Sequence, residues 1–170
     1  EDNTTPYGNR SLDIIVAPWP WVKLGTGKFR DDYLCSMFNG GNPEIEVTIH
    51  EHKSKKGIYM IEEMYGWPLL TEFFGGSQEE IESQVKLTYT PVNITIDCSD
   101  PTKVVMPRQF TGIIDQDPSY GNYEIAMLTG GEGTLVNGVI TFPQEALAFV
   151  CGAGSLKANK SGLFRILLPG

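Results

Sequence analysis

Residues 44–66 read E-I-E-V-T-I-H-E-H-K-S-K-K-G-I-Y-M-I-E-E-M-Y-G. The first nine alternate. Ile45, Val47 and Ile49 fall on one face; Glu46, Thr48, His50 and His52 fall on the other. A period of two over that length is that of a strand with one buried face. Lys53-Ser54-Lys55-Lys56-Gly57 then interrupts the pattern with charge and a glycine. The run from Ile58 to Gly66 predicts a second strand, so the stretch reads as a hairpin with a solvated lysine tip.

The same reading extends in both directions. Residues 85–98 alternate like a strand and are broken at Pro91, which cannot donate to a ladder. Asp100-Pro101 is a turn, and K-V-V-M-P-R-Q-F-T-G (103–112) predicts a strand closed by Gly112. Another is expected over Tyr120 to Leu128, and a last one in L-F-R-I-L-L (163–168). Asn137-Gly138 sits between two apolar runs, a strong hairpin signal, because both central residues of a type I′ turn need positive φ. Helical signals are few. Ser77-Gln78-Glu79-Glu80 fits a capping box, and Pro143 to Leu147 suits one further short helical turn.

Strands at this spacing predict a mainly β fold: an antiparallel β-sandwich or barrel-like domain with at most short helical turns. Residues 1–12 read as a flexible N-terminal segment and 13–170 as a single β-rich domain. Gly75-Gly76-Ser77 opens the best candidate for a subdomain seam, near 75–85. In W-V-K-L-G-T-G-K-F-R-D-D-Y-L (21–34), the glycines beside Lys28 suggest a phosphate loop. A Walker loop needs four residues between its glycines and Ser or Thr after the lysine; here one residue intervenes and Phe29 follows. Gly25 to Gly27 are therefore expected to form a bend or hairpin turn, with Lys28 starting a strand.

Composition narrows the function. The chain has 170 residues, 41% hydrophobic and 20% charged, so it is globular rather than disordered. Its formal net charge is -8. An acidic chain repels a phosphate backbone, and no nucleic-acid partner is expected. No stretch approaches the roughly 18 to 20 apolar residues of a membrane helix. The polar opening E-D-N-T-T-P-Y-G-N-R suits a removed leader followed by a tether, and equally a trimmed cytosolic chain. Cys35, Cys98 and Cys151 cannot all pair internally. Cys98 and Cys151 have apolar neighbours and read as small buried hydrophobes; one disulfide plus a free thiol is the alternative.

Candidate chemistry is sparse. His50 and His52 project from one strand face and could bind zinc or copper, if Glu46 or a residue of 59–64 supplied a third ligand. The alternative is an exposed polar face, and no metal or other cofactor is expected. Asp31-Asp32, Asp97 with Asp100, and Asp115 with Asp117 could hold calcium, but such residues also make local turn hydrogen bonds. Trp19 and Trp21 are two apart; in an extended segment both face one way and could stack on sugar rings. Trp67 and Tyr120 are expected in loops and could join such a ligand-binding surface. Core packing is the competing reading for all three tryptophans.

Five segments taken together carry a family likeness. They are L-G-T-G-K-F-R-D-D-Y-L (24–34), residues 46–66, I-T-I-D-C-S-D-P-T-K-V-V-M-P-R-Q-F-T-G-I (94–113), Y-G-N-Y-E-I-A-M (120–127) and G-V-I-T-F-P-Q-E-A-L (138–147). In this order they resemble small secreted lipoproteins of Bacteroides-type gut bacteria. The resemblance implies export to the cell envelope, as an outer-membrane lipoprotein or in the periplasm. It also implies a lipid anchor on a cysteine just before Glu1, membrane contact through that anchor only, and a β-rich fold. It transfers no catalytic residue. Glycan capture is common among such proteins. The expected function is non-catalytic binding of an extracellular ligand, a glycan first. A structural or adhesive module with a protein partner comes second, and a hydrolase third.

Overall fold

The computed structural model describes residues 18–31, 43–158 and 160–170, and in these the expected mainly β, antiparallel architecture is present. Strands β1 (Trp21–Arg30), β2 (Glu44–His52), β3 (Ile58–Ile61), β5 (Ile94–Asp97), β8 (Thr134–Val136), β9 (Val139–Thr141) and β12 (Arg165–Leu167) make a seven-stranded sheet. Its order is β5-β3-β2-β1-β12-β9-β8. Strands β4 (Leu87–Tyr89), β6 (Gln109–Asp115), β7 (Asn122–Met127), β10 (Leu147–Cys151) and β11 (Gly154–Ala158) make a second sheet, ordered β11-β10-β7-β6-β4.

The first sheet curls into a half-barrel. Val105 bridges Asp97 at the end of β5, while its neighbour Val104 bridges Gly133 beside β8. Two residues thus tie the first strand of the sheet to the last. The side chain of Gln109 adds to this seam. Its Oε1 accepts the Thr95 N–H at 2.9 Å, and its Nε2 donates to the Thr95 carbonyl at 2.8 Å. A side-chain amide here does what a neighbouring peptide would do. The exposed backbone row that an edge strand normally presents is therefore consumed.

The β2–β3 hairpin forms as its alternation predicts, with Ile45, Val47 and Ile49 buried and the lysine tip exposed. Asn137 and Gly138 have φ of 49° and 78°, as a type I′ turn requires. Pro91 does break the 85–98 run, and more completely than alternation suggests: β4 and β5 belong to different sheets. The capping box is present, with the Ser77 Oγ accepting from Glu80 N–H and the Glu80 carboxylate accepting from Ser77 N–H. It opens a short helix, α2 (Gln78–Glu80), which runs on as one wide turn to Val85.

Four expectations are corrected. The second hairpin strand stops at Ile61, and Trp67–Phe74 form a helix, α1, which buries Leu69, Leu70 and Phe73. Gly112 does not close a strand; it lies within β6 at a register shift against β7. The segment from Pro143 to Ala146 is a hydrogen-bonded turn rather than a turn of helix.

The fourth correction concerns Gly25-Thr26-Gly27, which is no hairpin turn. β1 runs through it without a break and pairs with β2 from Trp21↔His52 to Arg30↔Glu44. The register shifts once, between Lys23 and Gly25, leaving Leu24 as an extra residue. Side chains alternate along a strand, so one extra residue reverses the faces beyond it. Trp21 and Lys23 share the outer face with His52 and His50; Gly25, Gly27 and Phe29 share the inner face with Ile49, Val47 and Ile45. Gly25 adopts φ of 137°, where side chains other than glycine are strained. At Gly27 a Cβ would lie 2.3 Å from the Leu167 carbonyl oxygen and 2.5 Å from Ile49 Cδ1.

The core sits between the half-barrel and the second sheet. Phe29 meets Tyr65 and Phe164 edge to face, with ring centres 5.5 and 5.4 Å apart. Tyr65 in turn meets Phe149 of β10 at 5.3 Å, and Phe164 meets Phe142 at 5.5 Å. Each such pair adds about 0.5–1.5 kcal/mol beyond area burial.

Candidate functional site

Both tryptophans of the Trp19-Pro20-Trp21 segment lie on the outer face of the half-barrel. Pro20 extends the β1–β2 ladder by one bond, its carbonyl accepting the Lys53 N–H at 2.7 Å. Trp21 stands edge-on to His52, ring centres 5.2 Å apart at 78°. Trp19 lies back along the sheet and stands edge-on to His50, at 6.3 Å and 83°. Trp19 remains 59% exposed and Trp21 is half-buried. Tryptophan is highly buried on average, so core packing accounts for neither ring. Val22 is also exposed, at 48%, but it pairs with Glu51 on the opposite face, and Leu24 is the exposed extra residue of the bulge. The outer face therefore presents an aromatic pair beside Lys23.

The two histidines serve different purposes. His50 is not part of an exposed polar face: it is only 7% exposed, with Met60 beside it across the β2–β3 ladder and buried too. Its Nε2 bonds the Glu62 carboxylate, while its buried Nδ1 has no hydrogen-bond partner among the described residues. His52 turns Nδ1 toward the hairpin tip, where it accepts the N–H groups of Ser54 at 3.2 Å and Lys55 at 3.1 Å. An accepting Nδ1 fixes the neutral ring with its proton on Nε2. Glu62 does come from the segment expected to supply a third metal ligand. Even so, among the described residues no three His, Cys, Asp or Glu side chains gather closely enough to hold a metal.

The other predicted site residues lie elsewhere. Trp67 is not in a loop; it opens α1 and packs, half-buried, against the core and edge-on to Tyr89 at 6.2 Å. Tyr120 is in a loop and 43% exposed, beside a cleft of about 230 Å³ that Tyr123, Cys151 and Leu156 also line. The four aromatics thus divide among three places, and only Trp19 and Trp21 are together.

The acidic clusters make turns. Asp97 accepts from Ser99, Asp100 from Thr102, and Asp117 from Ser119, each through backbone N–H and hydroxyl. The Ser119 bonds hold the Asp117 carboxyl below its ordinary range, and the Thr102 bonds do the same for Asp100. Asp31 is buried at the end of β1; Asp32 lies outside the described residues, as does Cys35. Cys98 and Cys151 are free thiols. Cys98 is buried as expected, and burial pushes its thiol up to about 12. Cys151 differs from the expectation, being half-exposed at the Tyr120 cleft.

One arrangement is only partly legible in the sequence, the Glu62–His50 pair. A residue of 59–64 is expected beside the histidines, and Glu62 is the one: its N–H bonds the Thr48 carbonyl of β2 at 3.0 Å, just past the end of β3, and its carboxylate meets His50 Nε2. No family model, curated protein or solved structure matches this chain.

Proposed function

We propose that the protein is a non-catalytic, exported cell-envelope protein that binds an extracellular glycan on the face carrying Trp19 and Trp21. One observation supports this above the others: both indoles stay at the surface, each braced by an imidazole of the same strand face. Sugar rings have C–H faces that pack on indole, and a braced ring loses little entropy when it is covered. Calorimetric titration against a polysaccharide panel tests the reading. Trp19→Ala and Trp21→Ala are each expected to remove binding, leaving the unfolding midpoint close to that of the parent. Binding that survives in the double variant would overturn it.

A second reading, an adhesive module for a protein partner, is favoured by β11. It ends its sheet, and Gly154, Ser155 and Leu156 are exposed along it. An exposed edge strand can accept an added strand from a partner. Loss of partner capture on Leu156→Pro, with glycan binding absent, would select this reading over the first.

A further inference from the structure

The charge at one end of the molecule opposes that of the whole. The chain carries -8, yet Lys23, Lys53, Lys55 and Lys56 lie at the start of β1 and on the β2–β3 tip, all exposed. Among the described residues none of these four is in an ion pair. Of the carboxylates nearest the tip, Glu51 accepts the Gly57 N–H at 2.9 Å, while Asp97, at the end of β5 beside Gly57, and Asp100, just beyond it, accept from Ser99 and Thr102. Glu51, His52, Lys53, Ser54 and Lys56 line a cleft of about 190 Å³. His52 belongs to both surfaces: it lines this cleft and stands against the Trp21 ring. Its neutral ring carries its proton on Nε2, because Nδ1 is occupied by the tip backbone. The cleft therefore offers ammonium groups and an imidazole N–H beside an indole face.

We infer that the glycan is acidic, its carboxylate or sulfate groups held by the Lys53–Lys56 cleft while its rings pack on Trp19 and Trp21. The inference rests on the aromatic-face reading and adds the charge of the ligand. An anionic bilayer carries the same lysine-attracting charge, but it is a broad surface and would also face the acidic remainder of the molecule. A single saccharide chain reaches the basic end alone, and it places charge and C–H faces within one ring of each other.

The test is calorimetric titration with polygalacturonate, alginate and chondroitin sulfate, with a neutral β-glucan, and with phosphatidylglycerol vesicles, each at low and high salt. An acidic polysaccharide is expected to bind, with affinity falling about tenfold or more as salt screens the lysines. Lys53→Gln, Lys55→Gln and Lys56→Gln combined should weaken it roughly tenfold, as three exposed charge contacts allow. An unchanged unfolding midpoint shows that the triple variant is folded. Equal, salt-insensitive binding of the neutral glucan overturns the inference and leaves the aromatic-face reading standing. Binding of vesicles alone, or of none of the probes, overturns both.

Discussion

The two halves of β1 meet opposite requirements within ten residues. Beyond the bulge, Phe29 is fully buried among Tyr65 and Phe164, and Gly27 lets β12 and Ile49 close over the strand. Before it, Trp21 and Lys23 face outward over the histidines, with Trp19 laid across the same face. β12 meets β1 only at Lys28–Arg30, so among the described residues the first half of β1 pairs with β2 alone. The difference teaches that one inserted residue can separate a part of a strand that folds the protein from a part that is displayed.

Deleting Leu24 attacks that separation directly and carries the largest expected effect. Without the extra residue, either Trp21 and Lys23 turn inward or Phe29 and its set turn outward. Loss of a cooperative urea transition is expected; a cooperative transition near that of the parent would show that the bulge is dispensable. Phe29→Ala comes next, at about 3–5 kcal/mol for a buried aromatic truncated in a close-packed site. Equilibrium urea unfolding measures it, and a loss near zero would mean that the inner half is not anchored there.

A smaller effect is expected in alkali, from buried groups on the core side of the contrast. Burial raises the Cys98 thiol from 9.0 and the Tyr89 phenol from 10.0, each to about 12. A folded-state value above the unfolded one means that the stability is complete below the unfolded value. It is then lost as pH rises toward the folded value. The unfolding midpoint should hold up to about pH 9 and decline above it, and Cys98→Val should flatten the first part of the decline. A midpoint that rises with pH through this window would contradict the assignment. Trp19→Ala has the smallest expected effect on stability, less than about 1 kcal/mol, since an exposed ring loses little more than its edge contact with His50. A loss as large as that of Phe29→Ala would make Trp19 a structural residue and remove the contrast.

What was legible in the chain was local. Alternation over 44–52, the Asn137-Gly138 turn, the Ser77 capping box and the break at Pro91 each act within a few residues, and each is present. α1 carries signals at both ends: Pro68 at its start and Gly75, with φ of 70°, just past its end. The apolar run before it masked them, because Ile58 to Tyr65 alternates weakly enough to suit a longer strand. The bulge was illegible for a different reason. W-V-K-L-G-T-G-K-F keeps its letters whether the strand turns or slips by one, and only pairing with β2 decides. The sheet's closure by Val104 and Val105, and the pairing of β1 with β12, link residues far apart in the chain; no local period encodes them. At the candidate site the i, i+2 spacing did place both tryptophans on one face, while the division of labour between the two imidazoles depended on Glu62 and the tip backbone.

The place of β12 gives the half-barrel two closures of very different chain length. It is the last of the described strands, yet it sits between β1, the first, and β9. The β8–β9 and β2–β3 hairpins can each form early from neighbouring residues, in microseconds. The ladder through β12 is complete only when the two most distant of the described strands meet, a step that costs loop-closure entropy before any contact repays it, whereas the Val104–Val105 seam ties the same hairpins across shorter loops. Folding in milliseconds to seconds is the expected regime.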